Sequence, residues 1–244
     1  MNQAFENYVS NYDLNDEEIK YKYLHSYRVK NLADILSQNF SEEDRYLANI
    51  IGLYHDIGRF EQDKKFNSFY DGSTFDHANY GVKLLIENNI IRQIPVEEKY
   101  YNIIEKAIKN HNKYKIEEGL TPKELLHAKI IRDADKLDIL TSRSKGIALK
   151  KDINFNDNEF KIRESIINNF YSNKQIEINK QDKTPRTTAE KIIIYLAMIF
   201  DLNFDKSKDY LVKNNILNNL YNRLQNKDKY KEYFDYINKY LEKR

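Results

Sequence analysis

The side chains best equipped for chemistry in this chain are its histidines, His25, His55, His77, His111 and His127, with aspartates beside or between them at Asp56, Asp133, Asp135 and Asp138. The chain has no cysteine, which excludes disulfides, thiolate zinc sites and a cysteine nucleophile. Any metal must therefore be held by imidazole and carboxylate. His25, His55, Asp56, His77, His111 and Asp135 fall on or beside apolar stripes that turn inward in successive helical segments. Buried imidazoles and carboxylates are costly unless paired or metal-bound, so several in one core point to a metal site. A thiolate-free donor set suits iron, manganese, zinc, cobalt or nickel and does not choose among them.

The elements that must position these groups are helices. Val29, Leu32, Ala33 and Leu36 form the stripe of a helix over about residues 16 to 39, and His25 extends it by one turn. Ser41 before Glu42, Glu43 and Asp44 starts a second helix that runs into Tyr54-His55-Asp56-Ile57-Gly58, with Gly58 read as its stop. Residues 59 to 75 lack a steady period and read as a loop. A helix from Asp76 places His77, Gly81, Leu84 and Leu85 on one face. Pro95 is expected in the first turn of the next, whose stripe is Ile104, Ala107, Ile108 and His111. Thr121-Pro122-Lys123-Glu124 is a capping box that opens a helix through Asp138, with Ala128, Ile131 and Asp135 on one face. His127 shares that face but lies two turns from Asp135, on the order of 12 Å along the axis, and reads as structural. Histidine-free helices come next, at about 157 to 173, 187 to 203, 207 to 225 and 228 to 243, with a second capping box from Thr187 to Glu190.

Composition agrees with this frame. Six glycines and three prolines in 244 residues give little punctuation for tight β-turns. No linker-like stretch divides the chain, so the expectation is one all-α domain with a metal-binding core over about 16 to 145 and a C-terminal helical extension over about 157 to 243. Forty basic residues against 38 acidic ones give a net charge of +2, too little for an extended nucleic-acid surface or attraction to acidic membranes. The first residues lack a basic start followed by an apolar run, and no stretch is apolar enough to span a bilayer, so a cytoplasmic protein is expected.

In Leu24-His25-Ser26, Leu53-Tyr54-His55-Asp56-Ile57-Gly58-Arg59 and Arg132-Asp133-Ala134-Asp135-Lys136-Leu137-Asp138, the chain resembles the HD superfamily of metal-dependent phosphohydrolases. Its signature is an early His, a His-Asp pair and a distant Asp, here His25, His55-Asp56 and Asp135, and the likeness covers roughly residues 20 to 145. His77 and His111 resemble the added ligands of the two-metal subset, and a one-metal site with these two as pocket histidines that bind substrate fits the same pattern, so one or two ions are expected. The resemblance then implies that one ion takes His25, His55, Asp56 and Asp135, and the second takes Asp56, His77 and His111, with Asp56 bridging as the central catalytic residue. Asp133 competes with Asp135 for the last position, and it and Asp138 are otherwise candidates for orienting ligands.

The chemistry this implies is hydrolysis of a phosphate ester by a metal-activated water, which needs no protein nucleophile; the chain has neither a nucleophile elbow nor a Gly-x-x-x-x-Gly-Lys-Ser/Thr loop. Arg59 and Arg28 are candidates to bind a phosphate. The Gly-Tyr-Pro motif of the branch that cleaves cyclic di-GMP is missing after His111, which leaves a soluble nucleotide or another small phosphorylated metabolite as expected substrate. Two other functions fit the same residues: a di-iron oxygenase of the HD type, and a non-catalytic module that binds a nucleotide.

Overall fold

The structure is a computed structural model that describes residues 1–69, 71, 75–147, 160–177 and 184–243. Among the described residues every regular element is a helix, in keeping with the all-α expectation. The residues group into two compact units, Met1–Asp135 and Lys136–Arg244, and the division falls within one long helix. No described helix is long and apolar enough to cross a membrane.

The first unit begins with α1 (Asn2–Val9), α2 (Glu17–Ser37) and α3 (Glu42–Tyr54). After α3 come α4 (Ile57–Phe66), α5 (His77–Ile86) and α6 (Tyr101–His111), and α7 (Pro122–Ser144) enters at its end. Helix starts are set by local chemistry. The Asp16 carboxylate accepts from Glu18 N and Ile19 N, Ser41 from Asp44 N, and Asp76 from Ala78 N and Asn79 N, each satisfying amides that the first turn leaves unpaired. Thr121 and Glu124 complete the capping box before α7. Helix α2 packs on α3, α4 on α5, and α6 on both α3 and α5, burying Val29, Leu32, Leu36, Leu47, Ile50 and Ile51. Helix α1, which the stripes did not foreshadow, sets Phe5 edge-on against Tyr54 and Phe60.

Two sequence expectations do not hold in this unit. Gly58 does not stop a helix: α3 ends at Tyr54, and Gly58 lies in α4, a full helix where a loop was expected from residue 59. Of that loop, residues 70 and 72–74 lie outside the described residues. The glycine is there for packing. A Cβ on Gly58 would overlap the carbonyl oxygen of His77 and come within 2.8 Å of Gly81 N, so α4 and α5 cross with backbone against backbone. Pro95 also stands outside any helix; short 3-10 turns at Ile90–Gln93 and Glu98–Tyr100 precede α6.

The second unit holds the rest of α7 and α8 (Glu164–Tyr171), α9 (Thr188–Ala197), α10 (Asp205–Lys213), α11 (Ile216–Arg223) and α12 (Lys231–Glu242). The helix expected from residue 157 starts at Glu164, and residues 157–159 lie outside the described residues. The Thr187 capping box is present. The helix expected over 207 to 225 is two, broken at Asn215, whose φ of 53° is left-handed. Phe170 is the hub of this unit's aromatic core, in contact with Tyr171, Phe200, Tyr233 and Tyr236.

Candidate metal centre

Five pieces of backbone bring the polar groups together inside the first unit. Helix α2 carries His25; the turn between α3 and α4 carries His55 and Asp56; α5 begins with His77; α6 ends with His111; and α7 carries Asp135. All four histidines are buried, as is Asp56.

Asp56 is the centre of the arrangement, and its two oxygens face different groups. Oδ2 lies 3.5 Å from His25 Nε2 and 3.7 Å from His55 Nε2. Those two nitrogens are 3.2 and 3.7 Å from Asp135 Oδ1, which closes the first group. Oδ1 lies 3.2 Å from His77 Nε2 and 3.6 Å from His111 Nε2, and the two nitrogens are 3.0 Å apart. His25, His55 and Asp135 each place a donor atom within 4.8 Å of the other two, as do His55, Asp56 and His111, so either trio could hold an ion.

Hydrogen bonds on the far side of the rings set which nitrogen faces in. His55 Nδ1 donates to Gly52 O at 2.9 Å, His111 Nδ1 to Ile108 O at 2.7 Å, and His77 Nδ1 to Asp71 Oδ2 at 2.5 Å. With the protons on Nδ1, each Nε2 presents a lone pair to the cluster. His77 Nε2 and His111 Nε2 thus face each other at 3.0 Å, an arrangement that a metal ion or a shared proton would satisfy. Two nitrogens about 2.1 Å from one ion and at right angles lie about 3.0 Å apart, so the separation fits ligands of a common metal. His55 Nε2 is buried without a hydrogen-bond partner among the described residues, again as a ligand would be.

The electrostatics suit a cation as well. Burial works to raise the Asp56 carboxyl, but the Lys22 ammonium and the surrounding imidazoles hold it well below the usual carboxylate range. Asp135 is likewise held low against burial, by His25 and His55. Burial, reinforced by His77 and His55, pushes His111 down to about 4 and keeps it a neutral donor.

Of the residues proposed from sequence, His25, His55, Asp56, His77, His111 and Asp135 converge on this one cluster. Asp133 is buried on α7, and the carboxylate that meets the histidines is that of Asp135. His127 lies apart and pairs with Asp44 at 3.2 Å. Asp138, in the second unit, accepts from Ser142 at 3.4 Å. Arg28 sits over the ring of Tyr21, which stacks on His25. Arg59 is nearer, with Nε 3.7 Å from Asp56 Oδ1. Its Nη1 is committed to Gln62 Oε1, Phe69 O and Asp71 Oδ1.

Three contributors are not evident from the sequence pattern. Lys22 donates to Asp56 Oδ2 at 2.6 Å. Asp71 bridges Arg59 and His77. Arg132, fully buried, donates to the carbonyls of Asn110, Lys113 and Tyr114 and so ties the His111 end of α6 to α7. Lys22 lies one turn before His25, a spacing that could have shown it; Asp71 and Arg132 left no periodic signal.

An all-helical unit that gathers four imidazoles and two carboxylates around one buried aspartate defines the class as a helical metal-binding domain. Positions 23–140 match the family model described as HD domain, in keeping with the HD resemblance of the sequence. HD domains bind divalent metals and are commonly hydrolytic enzymes. No curated protein and no solved structure matches the chain.

Proposed function

We propose that this protein is a metal-dependent phosphohydrolase that cleaves a phosphate ester of a nucleotide or another small phosphorylated metabolite, using two divalent transition-metal ions. The observation that carries the proposal is the division of Asp56: one oxygen faces His25 and His55, the other His77 and His111. A carboxylate shared in this way suits a bridge between two ions, with His25, His55 and Asp135 completing one site and His77 and His111 the other. Bound there, the metals would supply a hydroxide near neutral pH and offset charge on the phosphoryl oxygens. The protein's own part is to hold the imidazoles in one tautomer through Gly52 O, Ile108 O and Asp71, and to keep the centre buried. Iron, manganese, zinc, cobalt and nickel all suit the donor set.

The test is metal analysis of anaerobically purified protein, then Mn titration and a hydrolysis screen of nucleotides and aryl phosphate esters. About two ions per chain and release of phosphate are expected, with Asp56→Ala losing both metal and turnover. His77→Ala and His111→Ala should each reduce binding to about one ion while leaving the first in place. A wild-type stoichiometry of one at saturating Mn would remove the second site. Oxygen uptake by the iron form with no phosphate release would replace hydrolysis with oxygenase chemistry.

A further inference from the structure

Among the described residues the cation closest to Asp56 is Lys22, which the metal-ligand set does not use. It lies on α2, one turn before His25, and its Nζ donates to Asp56 Oδ2 at 2.6 Å. That is the oxygen around which His25 Nε2 and His55 Nε2 converge. The side chains of Lys22 and Asp56 are 13% and 4% exposed, so this ion pair is shielded from water. An ammonium and a divalent ion repel each other strongly at such range, and one oxygen facing one small space cannot serve both at full strength. Lys22 and Arg59 share a neighbour: Lys22 Nζ is 5.4 Å from the centre of the Phe69 ring, and the guanidinium of Arg59 is 6.0 Å from the same ring. Arg59 is anchored to Gln62, Phe69 and Asp71, whereas the hydrogen-bond partner of Lys22 among the described residues is Asp56.

We propose that Lys22 is an internal counter-cation of the metal-free centre, displaced from Asp56 when an ion binds among His25, His55, Asp56 and Asp135, and then free to take an oxygen of the substrate's phosphate. This role rests on the two-ion centre proposed for the protein. In the metal-free state Lys22 is the nearer of two cations that balance the buried Asp56 carboxylate, at 2.6 Å from Oδ2 against 3.7 Å from Oδ1 for Arg59 Nε. In the loaded state the metal assumes that task, and the released ammonium, still tethered beside His25, supplies a positive charge to an incoming phosphate. Metal binding would thereby prepare the substrate site as well as the reacting centre.

The experiment compares the wild-type chain with Lys22→Met and Lys22→Arg in three measurements: Mn titration, thermal melting in chelator, and binding of inorganic phosphate to the Mn-loaded protein. Lys22→Met should bind the first Mn ion about tenfold more tightly or better and melt lower than wild type in chelator. Its Mn-loaded form should bind phosphate about tenfold more weakly. Lys22→Arg, which keeps a cation, should stay close to wild type in Mn affinity. Lys22→Gln replaces Lys22→Met if the latter does not fold. Equal Mn affinity in wild type and Lys22→Met would overturn the displacement and leave the metal centre standing. Absence of Mn binding in both would overturn the centre and this proposal together. Tighter Mn with unchanged phosphate affinity would overturn the substrate role.

Discussion

At the scale of single residues, Arg59 has partners that its position in the sequence does not show. The sequence places it three residues after Asp56, where a guanidinium fork suits a phosphate. The structure turns its Nη1 away to Gln62, Phe69 and Asp71, and Asp71 in turn receives the Nδ1 proton of His77. Arg59 is thus linked through Asp71 to His77, a ligand of the second ion in the proposed centre. A lysine cannot span the same acceptors, so Arg59→Lys should weaken binding of the second Mn ion about tenfold while the first binds normally. Biphasic Mn titration reads this directly; unchanged affinities with a raised KM would return Arg59 to direct substrate contact. The converging histidines were legible because each stands on or beside an apolar stripe, where an uncompensated imidazole is costly. Lys22 and Asp71 were not: a lysine on a helix reads as a solvated face, and Asp71 stands in a stretch without period whose partners meet it only after folding.

At the scale of elements, the starts of helices were readable and several ends were not. Ser41, Asp76, Thr121 and Thr187 announce helices because a cap acts on amides two or three residues away, a local event. Ends depend on tertiary contacts. Gly58 looks like a stop in sequence, yet it stands in α4 so that the α5 backbone can come close, with Gly81 facing it. That crossing sets the distance between Asp56, just before α4, and His77, at the start of α5. Gly58→Ala would force a methyl group onto the His77 carbonyl, and overpacking of this kind costs about 1–3 kcal/mol. The variant should therefore melt lower and also lose affinity for the second ion, since His77 must move with its backbone. If Gly58→Ala is destabilised but binds both Mn ions as wild type does, the crossing supports the fold without tuning the site.

At the scale of the molecule, the six converging histidines and aspartates all lie in the unit Met1–Asp135, and among the described residues the unit Lys136–Arg244 adds none to the cluster. The sequence foretold helices after residue 145 but not their task, because that unit is held by an aromatic core around Phe170 and carries no histidine. The asymmetry makes a prediction about where metal acts on stability. A ligand that binds only the folded state stabilises it by about 2.7 kcal/mol at a hundredfold excess over Kd, or roughly 5–10 °C in melting temperature for a chain of this size. Chelation should remove that gain. Hydrogen exchange should locate it: amides of α2, the α3–α4 turn, α5 and α6 should lose protection in chelator and recover with Mn, because these segments carry imidazoles and carboxylates that the metal would hold together. Helices α8 to α12 should change much less. Equal loss of protection in both units would mean that they unfold as one cooperative body, and protection unaffected by chelator in α2 and α5 would mean that no metal ties His25 and His77 to Asp56.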